Sequence, residues 1–223
     1  IDYTDDRTDP LKGIRFNYNY GDSPQQDPDS PDYYVQELNL SGYIPIKKSS
    51  IALNWYRAGA TVRKQGNTDL NSLIALETAR CYANCDSATI NSRAKNQQAL
   101  NRYGSAGGLG DPTRLRSFAQ NRYSGPQVAF RGIEYRWNFS DKETPIEYYI
   151  ISDTAINFQL AFFYEEGSIA DTANDLWNEM KSSTGLGFRI VTTSQFVYRI
   201  DFASGQEGNE FIFWFDYPWG AVQ

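Results

Sequence analysis

The sequence predicts an all-β fold: an antiparallel transmembrane β-barrel to which this chain gives about eight strands. Three observations carry that expectation. Near the C-terminus Phe211, Phe213, Phe215 and Tyr217 alternate with Glu210, Ile212, Trp214 and Asp216, and Phe196, Tyr198, Ile200 and Phe202 alternate with Val197, Arg199, Asp201 and Ala203. Successive side chains of a strand point to opposite faces, so each segment has an apolar face and a largely polar one. Repeated down the chain with charge on the second face, the pattern fits a sheet with lipid outside and a polar lumen inside. Second, aromatics reach 15% of the 223 residues, yet the mean hydropathy is −0.59. A soluble domain so rich in aromatics normally carries more Leu, Ile and Val for a closed core. Third, no run approaches the ~20 apolar residues of a membrane-spanning helix, whereas a barrel strand needs only ~9–11.

The alternating segments run in order. Gly13 to Gly21 sets Ile14, Phe16, Tyr18 and Tyr20 against Arg15, Asn17 and Asn19. Tyr33 to Pro45 sets Leu38, Leu40 and Ile44 against Glu37, Asn39 and Ser41, and a turn at Lys47–Ser50 leads into Ile51 to Lys64, with Ile51, Leu53 and Trp55 apolar. Gln127 to Phe139 opposes Ile133, Tyr135, Trp137 and Phe139 to Glu134, Arg136 and Asn138. Asn157 to Glu166 places Phe158, Leu160, Phe162 and Tyr164 opposite Gln159, Ala161, Phe163 and Glu165. Gly185 to Thr193 sets Leu186, Phe188 and Ile190 against Gly187, Arg189 and Val191, and the two segments already described complete the eight. Phe158, Phe162, Phe188, Phe211 and Phe215 are therefore expected to face lipid. Short turns at Lys47–Ser50, Ser140–Thr144 and Thr193–Gln195, with longer loops between, give the asymmetry of an outer-membrane barrel.

One connection is out of scale: residues 65–126, between the third and fourth strands. Loops beyond ~12–15 residues are usually functional or disordered. Asp69 to Ala79 has helical spacing, and the glycine-rich stretch from Gly104 to Gly110 lacks the lysine and helix start of a phosphate cradle. Cys81 and Cys85, the only cysteines, read as a local disulfide in an oxidising compartment, with two free thiols the alternative. There is no histidine, which removes Ser-His-Asp and Cys-His catalysis, and with no second cysteine pair a metal site is not expected. No cofactor is expected either. A net charge of −6 argues against nucleic acid, which wants a basic face. No secretory signal precedes the strands, so a mature or trimmed chain is expected.

Several motifs, in order, resemble the bacterial surface antigen superfamily, the BamA/TamA-type outer-membrane barrels. Asp5 to Gly13 is similar to that family's Asp-rich periplasmic turn. Gly107-Gly108 ahead of Leu115-Arg116-Ser117-Phe118 resembles its lumen-loop motif, with Ser117 where the motif has glycine. Gly185 to Arg189, and Arg199 to Ala203 followed by Glu207-Gly208, resemble its closing strands. The resemblance covers most of the chain, read as one barrel domain over 1–223, and implies a bacterial outer-membrane location. It implies that Arg116 reaches into the lumen and meets Glu134 and Glu165. It also implies that the chain matches the last eight of sixteen strands, without the periplasmic repeats that receive clients. Eight strands close a barrel barely wide enough for their own side chains, so the expected partners are membrane lipid and a second copy or further strands.

Three function classes follow. The family's own function is protein insertion or translocation through a weak lateral seam. A structural or pore-forming homo-oligomeric barrel is the alternative, and a soluble aromatic-rich β-sandwich binding sugar is the third. An enzyme is not expected, because the adjacent carboxylates Glu165 and Glu166 point to opposite faces and cannot form a facing acid/base pair.

Overall fold

In the computed structural model, residues 1–81, 85–140, 144–148, 151–192 and 196–219 are described. The strands are β1 (Asp2–Thr4), β2 (Gly13–Ser23), β3 (Asp32–Ile46), β4 (Ser49–Lys64), β5 (Gly108–Leu109), β6 (Tyr123–Ser124), β7 (Gln127–Asn138), β8 (Thr144–Tyr148), β9 (Ile151–Ala170), β10 (Lys181–Thr192), β11 (Val197–Gly205) and β12 (Gly208–Phe215). All but β5 and β6 belong to one antiparallel sheet ordered β1-β2-β3-β4-β7-β9-β10-β11-β12, with β8 paired to β9. Among the described residues the edge strands β1 and β12 are not paired with each other. Among the described residues the strands form a single large sheet of ten, and no pairing closes it into a ring.

Two of the strand expectations need correction. Residues 141–143 of the turn expected at Ser140–Thr144 lie outside the described residues; beyond them pairing with β9 resumes at Thr144, opposite Ile156, so β8 continues the ladder that β7 began. The hairpin consequently extends β9 to 20 residues, well past the Asn157–Glu166 core. The turn expected at Thr193–Gln195 lies outside the described residues. The loop asymmetry is incomplete as well. Residues 65–126 lie at the same end of the sheet as the tight β11–β12 turn, where Gly205 pairs with Gly208.

Alternation sorts the sheet into two unlike faces. On β4 the inward positions Ala52, Asn54, Tyr56, Ala58 and Ala60 are buried, while Leu53 and Trp55 are exposed. On β7, Glu134 and Arg136 are buried, and Ile133, Tyr135 and Trp137 are exposed. Phe162, Phe211 and Phe215 lie exposed on the outer face. Phe158 and Phe188 share that face half-buried, stacked on each other at 5.8 Å with Phe139 beside them. Exposed aromatic and aliphatic rows thus lie on the outer face, and the buried arginines and carboxylates on the inner one, beside an apolar cluster.

The alternation fails at the C-terminal end. Tyr217, expected on the same face as Phe215, is buried inside, and Asp216, expected to point inward, is exposed. Asp216 adopts a left-handed backbone (φ 71°), which ends the two-residue period. Tyr217 then enters the interior and donates a 2.6 Å hydrogen bond to Asp9 Oδ1, joining the β1–β2 turn to the segment after β12.

Residues 65–126 are ordered by local chemistry. Helix α1 (Leu70–Arg80), close to the expected Asp69–Ala79, is capped by Asp69, which accepts from the Ser72 N–H at 2.9 Å. A second helix, α2 (Ser87–Tyr103), is capped by Asp86 accepting from Thr89 N–H at 2.6 Å, and it ends at Gly104 with φ 75°. An 11-residue helix is marginal alone; here Leu73 and Ala94 are buried as α1 and α2 pack together. Cys81 and Cys85 form a disulfide between the helices. Alkylation of the denatured, unreduced protein is expected to label neither cysteine, and reduction to leave the strand content unchanged by circular dichroism. Two labelled thiols would contradict this.

Candidate functional site

The site begins with a turn. Asp111 Oδ1 accepts from the Thr113 N–H (2.5 Å) and the Arg114 N–H (2.8 Å), reversing the chain after Gly110. Leu115 then takes a left-handed backbone (φ 53°), and the Phe118 N–H bonds the Leu115 carbonyl at 3.0 Å. This tight turn projects all four side chains of Leu115-Arg116-Ser117-Phe118 into the concave face of the sheet, where each is buried. Leu115 and Phe118 join an apolar cluster with Ala58, Ala60, Val128 and Phe130. The loop is held by its apolar residues as well as by its charge.

Arg116 is the centre of the site. Its Nε donates to Glu165 Oε1 (2.9 Å), Nη1 to Asp201 Oδ2 (2.8 Å) and Nη2 to Glu134 Oε2 (3.1 Å), while its backbone N–H reaches Glu165 Oε2 at 2.9 Å. Glu134, Glu165 and Asp201 stand on β7, β9 and β11, so a single guanidinium bridges three strands. The Phe163 ring lies 3.3 Å beneath its carbon. All four side chains have zero exposure, so these charge-assisted bonds are shielded from water.

The network spreads outward from Glu134. Arg189 grips it bidentately (2.6 Å to each oxygen), and Arg136 Nε donates to it at 2.9 Å. Arg199 pairs with Asp201 at 3.3 Å and donates to the Pro112 carbonyl at 2.5 Å, returning to the loop. Arg189 and Arg199 face each other directly across β10 and β11, an arrangement that is repulsive without the carboxylates between them. Tyr217 lies under Arg136 (3.9 Å) and Arg189 (5.0 Å).

The sequence pointed to Glu134 and Glu165 as partners of Arg116; it missed Asp201, which alternation had marked only as an inward charge. The signal was available in the register, since Asp201 pairs with Gly187, and a Cβ on that glycine would lie 2.1 Å from Asp201 Oδ1. Ser117, the departure from the motif's glycine, is accommodated elsewhere. A Cβ at Gly205 would stand 2.0 Å from Ser117 Oγ, so the missing side chain on β11 leaves room for the hydroxymethyl group. Each of the three carboxylates accepts from an arginine, and Glu166 lies on the opposite, outer face. Searches against protein-family models and against curated proteins return no match.

A second tether lies outside the sheet. Glu207, in the β11–β12 turn, accepts from Arg122 Nε (2.7 Å) and from the Tyr123 hydroxyl (2.7 Å). Hydrogen bonds from Arg122 and then Tyr123 hold its carboxyl below the ordinary 4.5. Depression in the folded state means the tether is intact above pH 4.5 and is lost as pH falls through the lowered value. Hydrogen exchange at Arg122 and Tyr123 is expected to accelerate below that pH in the native protein, and to be fast and pH-independent in Glu207→Gln after correction for intrinsic chemistry.

Arg116→Ala leaves three buried carboxylates short of a cation, and breaking such a pair costs about 3–5 kcal/mol. Denaturant unfolding is expected to register that loss, with protease cleavage appearing between Gly104 and Pro126. A midpoint equal to the native protein's would contradict the reading of Arg116 as the centre of the network.

Proposed function

We propose that this chain is an outer-membrane β-barrel domain related to the protein-insertion and translocation barrels, in a reduced or oligomeric form. The observation that carries the reading is the inversion of the sheet: exposed aromatic and aliphatic rows outside, and buried arginines and carboxylates inside. Lipid is the solvent in which that inversion is favourable. Strand length supports it: β2, β3, β4, β7 and β10 run 11, 15, 16, 12 and 12 residues, against the ~9–11 a tilted membrane strand needs. Tyr18, Tyr20, Trp55, Tyr135, Trp137, Tyr164 and Tyr198 are exposed on the outer face. These are residue types that favour the two membrane interfaces.

The open sheet bears on assembly. Among the described residues, β2 is paired on its β1 side only over Gly13–Phe16, and β12 pairs on one side alone. Unsatisfied backbone in hydrocarbon costs several kcal/mol per group, so in a bilayer these edges need another copy or further strands. The alternative reading, a structural homo-oligomer without insertase activity, is favoured by the filled interior, which leaves the loop where a passage would run.

Liposome flotation tests the membrane reading. The native chain is expected to float and to resist carbonate extraction, whereas Phe162→Arg should lower insertion by about 2–4 kcal/mol. A chain that stays monodisperse without detergent and does not float would overturn the proposal. Crosslinking in the native membrane separates the assemblies: a dimer or larger band supports the oligomer, and β2 joined to β12 within one chain removes it.

A further inference from the structure

The outer apolar face carries a gap. Along one row the register runs Ile14, Gly42, Leu53, Ile133, Tyr164, and along the next Phe16, Leu40, Trp55, Arg131, Glu166. At Gly42 the row has no side chain, and an added Cβ would meet nothing within 4 Å. Its flanking strands β2 and β4 lie about 10 Å apart at ~4.8 Å per strand, so the missing side chain leaves a trench rather than a dimple. The resulting groove has a volume of about 570 Å³, lined by Ile14, Leu40, Leu53, Trp55, Ile133 and Tyr164. That volume lies within the ~300–1,000 Å³ of small-ligand clefts.

One end of the groove is charged. Arg131 is bound to Glu166 through Nε and Nη2, and the Tyr164 hydroxyl donates to the same carboxylate at 2.7 Å. Trp177 lies 5.0 Å from the Arg131 guanidinium carbon. The Arg131 side chain is 58% exposed and that of Glu166 14%, and Nη1 donates to no described residue. A partly exposed guanidinium, paired with Glu166 through Nε and Nη2 and with Nη1 turned to no described residue, is thus fixed at one end of the apolar trench beside an aromatic ring. The strands beneath the trench, β3, β4 and β7, are paired on both sides, so an extended peptide cannot dock there by adding to the sheet.

We propose that this groove binds a phosphate-bearing bilayer lipid, one acyl chain lying over Gly42 and the phosphate meeting Arg131. The inference rests on the membrane reading above. A flexible hydrocarbon fits a shallow apolar trench without hydrogen bonds of its own, and a guanidinium fork suits a phosphate.

The probe is dioleoyl phosphatidylglycerol, its retention measured by native mass spectrometry after detergent exchange, with dioleoylglycerol and inorganic phosphate in parallel. The native chain is expected to keep one phosphatidylglycerol. Gly42→Leu, which fills the trench, and Arg131→Gln, which removes the charge, should each lower retention by about tenfold or more. Leu186→Ala, on the same face but on β10, should leave it unchanged. Equal retention in Gly42→Leu and the native chain would overturn the site, and so would retention of dioleoylglycerol as strong as that of phosphatidylglycerol. Inorganic phosphate bound through Arg131 without lipid would reassign it as an anion site and also overturn the proposal. Flotation of the same variants keeps the two readings apart: a chain that floats but shows no selective retention loses only the lipid site, and one that does not float loses both.

Discussion

A guanidinium with no access to water fixes the interior of this sheet. Arg116 keeps its charge inside only because β7, β9 and β11 each bring a carboxylate to it, one for each of its nitrogens. That demand sets the register, since a one-residue slip of any of these strands would send its acid to the outer face. It also demands curvature, because Glu134 and Asp201 lie three strand spacings apart and still reach one side chain. A buried ion pair contributes little net stability, because desolvation offsets the attraction. Its better attested role is specificity, and here it selects one register and one seat for the loop.

The glycines and the loop are complementary parts of the same constraint. Leu115 and Leu109 approach β9 at Gly167, where a Cβ would lie 2.9 and 2.6 Å from their methyl carbons. Ser117 uses the space at Gly205 in the same way. Close approach of this kind needs residues without side chains on the receiving strand. The cost appears as weaker intrinsic strand propensity at those positions, offset by the apolar cluster that Leu109, Leu115 and Phe118 form with β4 and β7.

The sheet was legible in the sequence wherever two-residue alternation continued through a whole strand. Gly13 to Lys64 and Gln127 to Asn138 read directly, with ends displaced by a few residues. Tyr217 was misread because alternation carries no warning of a left-handed residue: Asp216 is a tolerated but uncommon host for φ 71°, and periodicity was extended through it. The continuation of β7 into β8 was missed because Ser140–Thr144 has the composition of a turn while the ladder resumes beyond it. Helix α2 was missed because its sequence, rich in Asn, Gln and Ser, has a weak apolar stripe, and its order depends on contacts such as Asn101 Nδ2 to the Asn67 carbonyl (2.6 Å). Within the site, Arg116 with Glu134 and Glu165 followed from the motif and from strand parity. Asp201, Arg189 and Arg199 had the right parity too, but only the register across β9, β10 and β11 decides which charges meet.

The filled interior also bears on how a sheet of this kind could act. A segment passing through the concave face would have to displace the turn at Leu115–Phe118 and separate Arg116 from three carboxylates, at about 3–5 kcal/mol for a broken buried pair. It would meet Tyr217 and Trp219 as well, both buried in the same space. The sheet edges present no comparable obstacle. Among the described residues, β2 beyond Phe16 has open backbone on one side, and so does β12, whose partner β11 covers only its other edge. Backbone groups in that condition gain hydrogen bonds from an added strand without breaking any in the network. On the proposed reading, the reactive parts of the molecule are therefore its edges, and the arginine network keeps the sheet between them in one curvature and one register while those edges exchange partners.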